Sequence, residues 1–400
     1  MIAGRWLLAA VILAAFLPGG MVQASGEFSL QAASPDVVVD SLSQRAEFST
    51  WLNRDWKLTL SYRQRSARDQ SYNGIDQAFV ATERRLPWAD ASIGVTLGRA
   101  ATNWSPWGGD SVVLSGDAPG VDQLQVAYRQ GGVGFEKLLG KLSGSDRYLL
   151  AHRVSLRRGG FFAAAGEAAV VDGAFLHNLV TLLPFPVYLT QWVGLQSGTV
   201  QNDEVNDNAF VQVAYQTPSG FLVGGEFFAD DAPGGTADRQ PFQVAGLLRV
   251  ETPLPAGGRI TTQYGRANNF TYSFQAPSGH YTNEGYCLGY PYGPDSETLS
   301  LGYQPPANRW GIREAGLTVR RQGEGKIGDV WESEGYEGKA FLSGTVETTR
   351  LVYVEAGRSL NSGLELTVRL GLGTVENYDH RAGDSTVRVE NAVGLRYCWD

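Results

Sequence analysis

Apolar and polar side chains alternate with a period of two along most of this chain, and no other feature constrains its fold as strongly. Trp56, Leu58, Leu60 and Tyr62 interleave with Lys57, Thr59, Ser61 and Arg63. Ala91, Ile93, Val95 and Leu97 interleave with Ser92, Gly94, Thr96 and Gly98, and Leu364, Leu366, Val368 and Leu370 with Glu365, Thr367, Arg369 and Gly371. Near the end Val387, Val389, Val393 and Leu395 share one parity, on which Asn391 is the polar exception. Successive side chains of a strand point to opposite faces, so each segment has one greasy face and one polar face. Two architectures satisfy that pattern. A soluble sandwich or barrel turns the greasy face inward, and an outer-membrane barrel turns it toward lipid. The polar parity holds Lys57, Arg63, Glu365, Arg369, Arg388, Glu390 and Arg396 among small residues, which suits a wide lumen and a solvated surface equally.

Composition removes other classes. Fifty glycines in 400 residues are incompatible with a coiled coil or helical repeat, because glycine is a poor helix former. Acidic residues outnumber basic ones 41 to 33 and no basic block occurs, which argues against a nucleic-acid partner. A chain that is 43% hydrophobic and 18% charged is not a disordered one. Two cysteines, Cys287 and Cys398, form neither a disulfide scaffold nor a zinc ribbon, although an exported chain can bridge them.

Export is predicted from the N-terminus. Arg5 precedes an apolar run from Trp6 to Leu17, Pro18-Gly19-Gly20 breaks it, and Val22-Gln23-Ala24 offers small residues for cleavage after Ala24. Strand-like segments recur about every 20 residues, the spacing of a membrane-spanning strand plus its connection. Aromatics sit at segment ends (Trp51, Trp56, Tyr128, Tyr215, Tyr264, Tyr303), where interfacial girdles need them. The last segment runs into Tyr397-Cys398-Trp399-Asp400, similar to the terminal aromatic of bacterial outer-membrane barrels. The expectation is therefore an all-β fold, one large antiparallel transmembrane β-barrel of about 16 to 18 strands. Residues 1–24 are expected as a signal peptide, 25–44 as a periplasmic lead-in and 45–400 as the barrel, working as a monomer in the lipid of the outer membrane. Val170 to Leu183, stopped by Pro184-Phe185-Pro186, reads as a short inward helical segment.

Three segments resemble the capsule-assembly Wzi family of outer-membrane proteins. The first is Gly98-Arg99 with Asn103-Trp104-Ser105-Pro106-Trp107-Gly108-Gly109 and Val112-Val113-Leu114-Ser115. The second is Arg147 to Val154, containing His152-Arg153, followed by Gly166-Glu167. The third is Asp207-Asn208-Ala209-Phe210, leading to Gly224-Gly225-Glu226 and Asp230-Asp231. Their order holds over roughly residues 90 to 235. The resemblance implies a barrel of about 18 strands that binds capsular or other surface polysaccharide as a lectin, without catalysis, and it marks Asn208 as a candidate contact.

The residues themselves leave alternatives open. Trp104 and Trp107 flank a Ser-Pro turn beside Arg99 and Asp110, a set suited to stacking and hydrogen-bonding a saccharide, or to anchoring a barrel rim. Arg153, next to His152, can pair with Glu167 across neighbouring strands, either as a lumen ion pair or as a site for an anionic glycan. Glu226 and Asp230, four apart, share a strand face; paired carboxylates of that kind suit glycosidase chemistry, a Ca2+ site or a hydrated acidic mouth. Tyr281 to Pro294, an aromatic loop, suits sugar contact or packing. The four histidines form no His-Glu-x-x-His pair, no Gly-x-Ser-x-Gly elbow occurs, and the glycines of Gly323-Glu324-Gly325-Lys326 are too close together for a phosphate loop. No cofactor or metal is expected. A polysaccharide-binding barrel is the leading reading, and a general diffusion porin with a charged lumen is the alternative.

Overall fold

The computed structural model describes residues 22–34, 38–53, 55–67, 71–87, 89–173, 205–231, 242–329, 341–360 and 364–399. The first strands are β1 (Val22–Ser34), β2 (Val38–Trp51), β3 (Trp56–Ala67), β4 (Ser71–Leu86), β5 (Ala91–Ala100) and β6 (Val121–Gln130). Then follow β7 (Val133–Lys141), β8 (Arg147–Arg158), β9 (Phe161–Asp172), β10 (Val205–Gln216), β11 (Leu222–Asp231), β12 (Gln243–Pro253) and β13 (Arg259–Ala267). A two-residue hairpin, β14 (Thr282–Asn283) and β15 (Tyr286–Cys287), precedes β16 (Ser296–Gln304), β17 (Ile312–Gln322), β18 (Glu347–Ser359), β19 (Leu364–Glu376) and β20 (Ser385–Trp399). Setting the hairpin aside, the described residues make one 18-stranded antiparallel sheet in which each strand pairs with its neighbours in the chain. The first strand also pairs with the last, Val22 opposite Trp399 through Ser34 opposite Val387, so the ladder closes. Closure removes both edges that an open sheet of this size would expose.

Exposure decides which face meets what. Leu97 is 55% exposed, Leu248 61% and Leu372 61%, whereas Gln212 is fully buried and Glu226 is 4% exposed. The greasy parity faces out and the polar parity faces in, the arrangement of a membrane barrel and the inverse of a soluble one. Outward Tyr215 and Tyr303 lie near one end of their strands and Tyr264 near the other, as two interfacial girdles would. Connections at the end shared with Val22 and Trp399 are short turns, such as Gly131-Gly132 and Gly159-Gly160. The long connections, 101–120, 173–204, 232–242, 268–295 and 323–346, all lie at the opposite end. Outer-membrane barrels keep short turns in the periplasm and long loops outside, which orients the molecule.

Three expectations meet strands instead. Residues 25–44 are barrel wall, not a lead-in: β1 and β2 pair with each other and with β20 and β3. The alternation of Phe28 and Leu30 with Ser29 and Gln31 already had the period of a strand. Of the predicted leader, Val22 to Ala24 belong to β1, and residues 1–21 lie outside the described ones. Of the predicted inward helical segment, Val170 to Asp172 end strand β9, and Ala174 to Leu183 lie outside the described residues.

Candidate functional site

The outer half of the lumen is filled by loops that fold back into it. The apolar core includes Trp104, Val112, Val113 and Leu114 from loop 101–120, and Tyr272, Tyr281, Tyr286, Leu288 and Tyr290 from loop 268–295. It continues into lumen-facing apolar side chains of the wall: Leu138, Leu149, Ala151, Ala168, Val170, Phe210, Phe228, Ala245, Leu247 and Ala267. Strands β7 to β13 thus depart from the apolar-out, polar-in rule at their outer ends, because there they pack against protein and not against water. Glycine makes room for the rings. A Cβ at Gly224 would lie 2.6 Å from Trp107 Cζ3, and one at Gly265 would collide with the Tyr290 ring.

The loops also bond to each other. Tyr272 and Tyr281 donate their hydroxyls to the carbonyls of Val112 and Val113 at 2.9 and 3.0 Å, and Ser115 N–H donates to Leu288 O at 3.0 Å. Phe228 of β11 packs 5.1 and 5.5 Å, centroid to centroid, from the rings of Tyr272 and Tyr281. Asp295, ending the second loop, accepts from Ser343 Oγ at 2.6 Å and Gly325 N–H at 2.9 Å, drawing in a third.

Polar side chains of the wall fasten this plug. Glu226 Oε2 accepts from Ser111 Oγ at 2.8 Å and from Val112 N–H at 2.9 Å, while Gln212 Nε2 donates to Glu226 Oε1 at 3.3 Å and to Trp104 O at 2.9 Å. Arg153 donates to Trp104 O at 2.9 Å, lies 5.0 Å over the Trp104 ring and pairs with Glu136 at 3.1 Å. Asp230 accepts from Tyr272 N–H. On other walls Gln263 donates to Asp110 at 2.8 Å, Arg65 pairs with Asp117 at 2.9 Å, and Arg63 donates to Asp117 O at 2.8 Å while pairing with Asp76 at 3.2 Å. A bulge in β3–β4 at Ser61/Tyr62 places Asp76 beside Arg63.

The sequence candidates divide accordingly. Trp104, Arg153, Glu226 and Asp230 come together as plug joints, and Trp104, 1% exposed, has no free face for a sugar. Trp107 is half-buried against Gly224, Phe162 and Ala214. Asp110 is held by Gln263, and Asn208 donates to Ala168 O at 2.8 Å, bracing β9 to β10. Three side chains point elsewhere than expected. Arg99 shares the outward parity of Leu97 and makes a bidentate pair with Asp122 at 2.7 and 2.9 Å, away from the tryptophans. Register places Glu167 opposite His152 and Gly166 opposite Arg153, so the pair is His152–Glu167 at 3.9 Å, and Arg153 takes Glu136 instead. Cys287 is free: it lies in the plug hairpin, and Cys398 sits at the periplasmic end of β20.

Sequence reasoning missed Gln212, Glu136, Ser111, Gln263, Asp117, Arg63 and Arg65 as members of one assembly. Only the tyrosine loop carried a visible signal, and its packing reading is the one the structure shows.

Among the loop groups, Asp110 and His280 titrate away from their ordinary ranges in opposite directions. Burial raises the Asp110 carboxyl, against the lowering effect of the Gln263 hydrogen bond. Burial lowers the His280 imidazole, and the nearby Arg147 charge adds to that, while a hydrogen bond with the Phe274 backbone opposes it. A docked loop therefore holds fewer protons on His280 than a released one. That contribution to docking is complete above the free-histidine value of about 6.5 and is lost as pH falls toward the lowered one. The protection factors of the Tyr281 and Leu288 amides, measured against the intrinsic exchange rate at each pH, are expected to fall between pH 7.5 and pH 5.5 in wild type, and to change much less in His280→Gln.

No family model and no curated protein matches the chain. Solved structures do, at the level of fold. It is similar to Wzi of Escherichia coli, an outer-membrane protein involved in group 1 capsule assembly and described as a carbohydrate-binding β-barrel, with 12% identity, a TM-score of 0.63 and coverage of 97% of this chain and 87% of that one. It is also similar to OprD of Pseudomonas aeruginosa, with 12% identity, a TM-score of 0.50 and coverage of 96% of each chain. OccD3 (OpdP) of the same organism matches with 9% identity, a TM-score of 0.51 and coverage of 96% of this chain and 92% of that one. The fold is that of an outer-membrane β-barrel.

Proposed function

We propose that this protein binds a capsular or other surface polysaccharide at the outward end of its plugged barrel and helps attach or assemble it at the cell surface. The observation that carries this reading is the packed loop core. An 18-stranded wall by itself encloses an aqueous channel, yet here aromatic side chains and buried ion pairs occupy the outer lumen. A diffusion porin gains nothing from such a core, whereas a binding protein gains a rigid platform. Glu226 and Asp230 accept hydrogen bonds from the plug, which supports a binding role over a hydrolytic one. The E. coli neighbour, described as carbohydrate-binding, agrees with it.

A pull-down against the host's own surface polysaccharide tests the reading. Wild type is expected to retain the glycan, and Trp104→Ala and Arg153→Ala, which loosen the plug, are expected to retain less. No retention by wild type, together with large stable ion currents in planar bilayers, would replace this reading with that of a porin.

A further inference from the structure

Outward side chains at the loop end of β13, β16, β17 and β18 form a charged row. Register sets Arg266 opposite Glu297 and Glu297 opposite Arg321, so the three lie on one line across three strands. Arg350 of β18 lies one pleat nearer the short-turn end, level with Leu299 and Val319. Immediately below, the outward positions are Leu301, Leu317, Val352 and Leu372, all at least 40% exposed. The change from guanidinium to hydrocarbon takes one or two pleats, about 7 Å each. The row therefore stands where lipid heads meet lipid tails.

We propose that this row clamps an outer-leaflet lipid whose head is a phosphorylated saccharide. Guanidinium groups bind phosphate oxygens in a bidentate fork. Arg266 and Arg321 are two strands apart, about 10 Å, a span that suits two phosphates carried on a sugar; a single phosphodiester head reaches one. Glu297 orients Arg321, pairing with it at 2.6 Å and accepting from Tyr264 Oη at 2.9 Å, and its carboxylate is also an acceptor for sugar hydroxyls. Arg321 and Arg350 are each about half exposed in their pairs with Glu297 and Glu376, so phosphate can compete for them. Arg266 is held over the Phe341 ring, 3.4 Å from its centroid, and donates to Asn268 Oδ1 at 3.0 Å. Among the described residues, the outward positions at the same end of β9 to β12 hold no Lys or Arg, so the row stops at β13 on that side. This inference does not depend on the plug's binding a glycan.

Native mass spectrometry of the detergent-purified protein tests the proposal with three lipids: rough lipopolysaccharide, the same lipid stripped of phosphate, and phosphatidylglycerol. Wild type is expected to hold rough lipopolysaccharide through detergent exchange and to lose about tenfold or more of that retention when the phosphates are removed. The triple variant Arg266→Ala/Arg321→Ala/Arg350→Ala, still heat-modifiable as an intact barrel, is expected to show the same loss. Equal retention of the stripped lipid or of phosphatidylglycerol by wild type overturns the proposal, as does undiminished binding by the triple variant. If that variant does not fold, the wild-type lipid comparison alone decides.

Discussion

Excising residues 104–118 and bridging the ends with a short glycine-serine linker is expected to raise single-channel conductance in planar bilayers by about tenfold or more, the step from an occluded lumen to the water-filled channel that a barrel of this strand number encloses. The deletion removes the segment that meets Gln212 and Glu226 on one wall, Gln263 on another, and Arg63 and Arg65 on a third. It also takes away the carbonyls of Val112 and Val113 that receive the Tyr272 and Tyr281 hydroxyls. The wall itself is untouched, because every interstrand ladder lies outside the excised residues. Currents no larger than wild type would show that other loops close the lumen unaided.

Glu226→Ala is expected to weaken docking of the 101–120 loop by about 3 kcal/mol, since it strips a buried acceptor from Ser111 Oγ, Val112 N–H and Gln212 Nε2 at once. Leaving donors buried and unpaired accounts for most of that cost. Glu226→Gln keeps one carbonyl oxygen and is expected to be milder. Hydrogen exchange at Val112 and Val113, compared with an amide in the middle of a wall strand such as Val250, measures the effect. Unchanged protection at Val112 would mean that packing of Trp104, Val113 and Leu114 holds the loop without the carboxylate.

Much of the wall was legible because alternation is local: Leu58 and Leu60, Leu364 and Leu366 advertise their strands without reference to distant residues. The medium outside was less legible, because Arg63 or Glu365 on the polar parity suits a lumen and a solvated exterior alike. Only the exposure of Leu97 and Leu372 against the burial of Gln212 separates them. The 168–171 stretch, Ala-Ala-Val-Val, obscured the pattern for a physical reason: both parities are buried there.

At the candidate site, proximity was readable and purpose was not. Trp104, Arg153 and Glu226 do meet, but as joints of a plug. Glu136 opposite Arg153 depended on a register that no local pattern reveals. Arg99 and His152 share the outward parity of Leu97 and Val154, so nearness in sequence to Trp104 and Arg153 does not bring them to the same face.

The seam between β1 and β20 has a consequence for biogenesis. All other wall contacts join segments that are successive along the chain, so the wall can grow hairpin by hairpin. The last row of bonds must wait for β20 to arrive, and until then both flanks of the growing wall present bare backbone in an export compartment full of similar strands. Until the two flanks meet, each is a template for pairing with another chain, so the β1–β20 seam is the step at which this wall is most open to misassembly.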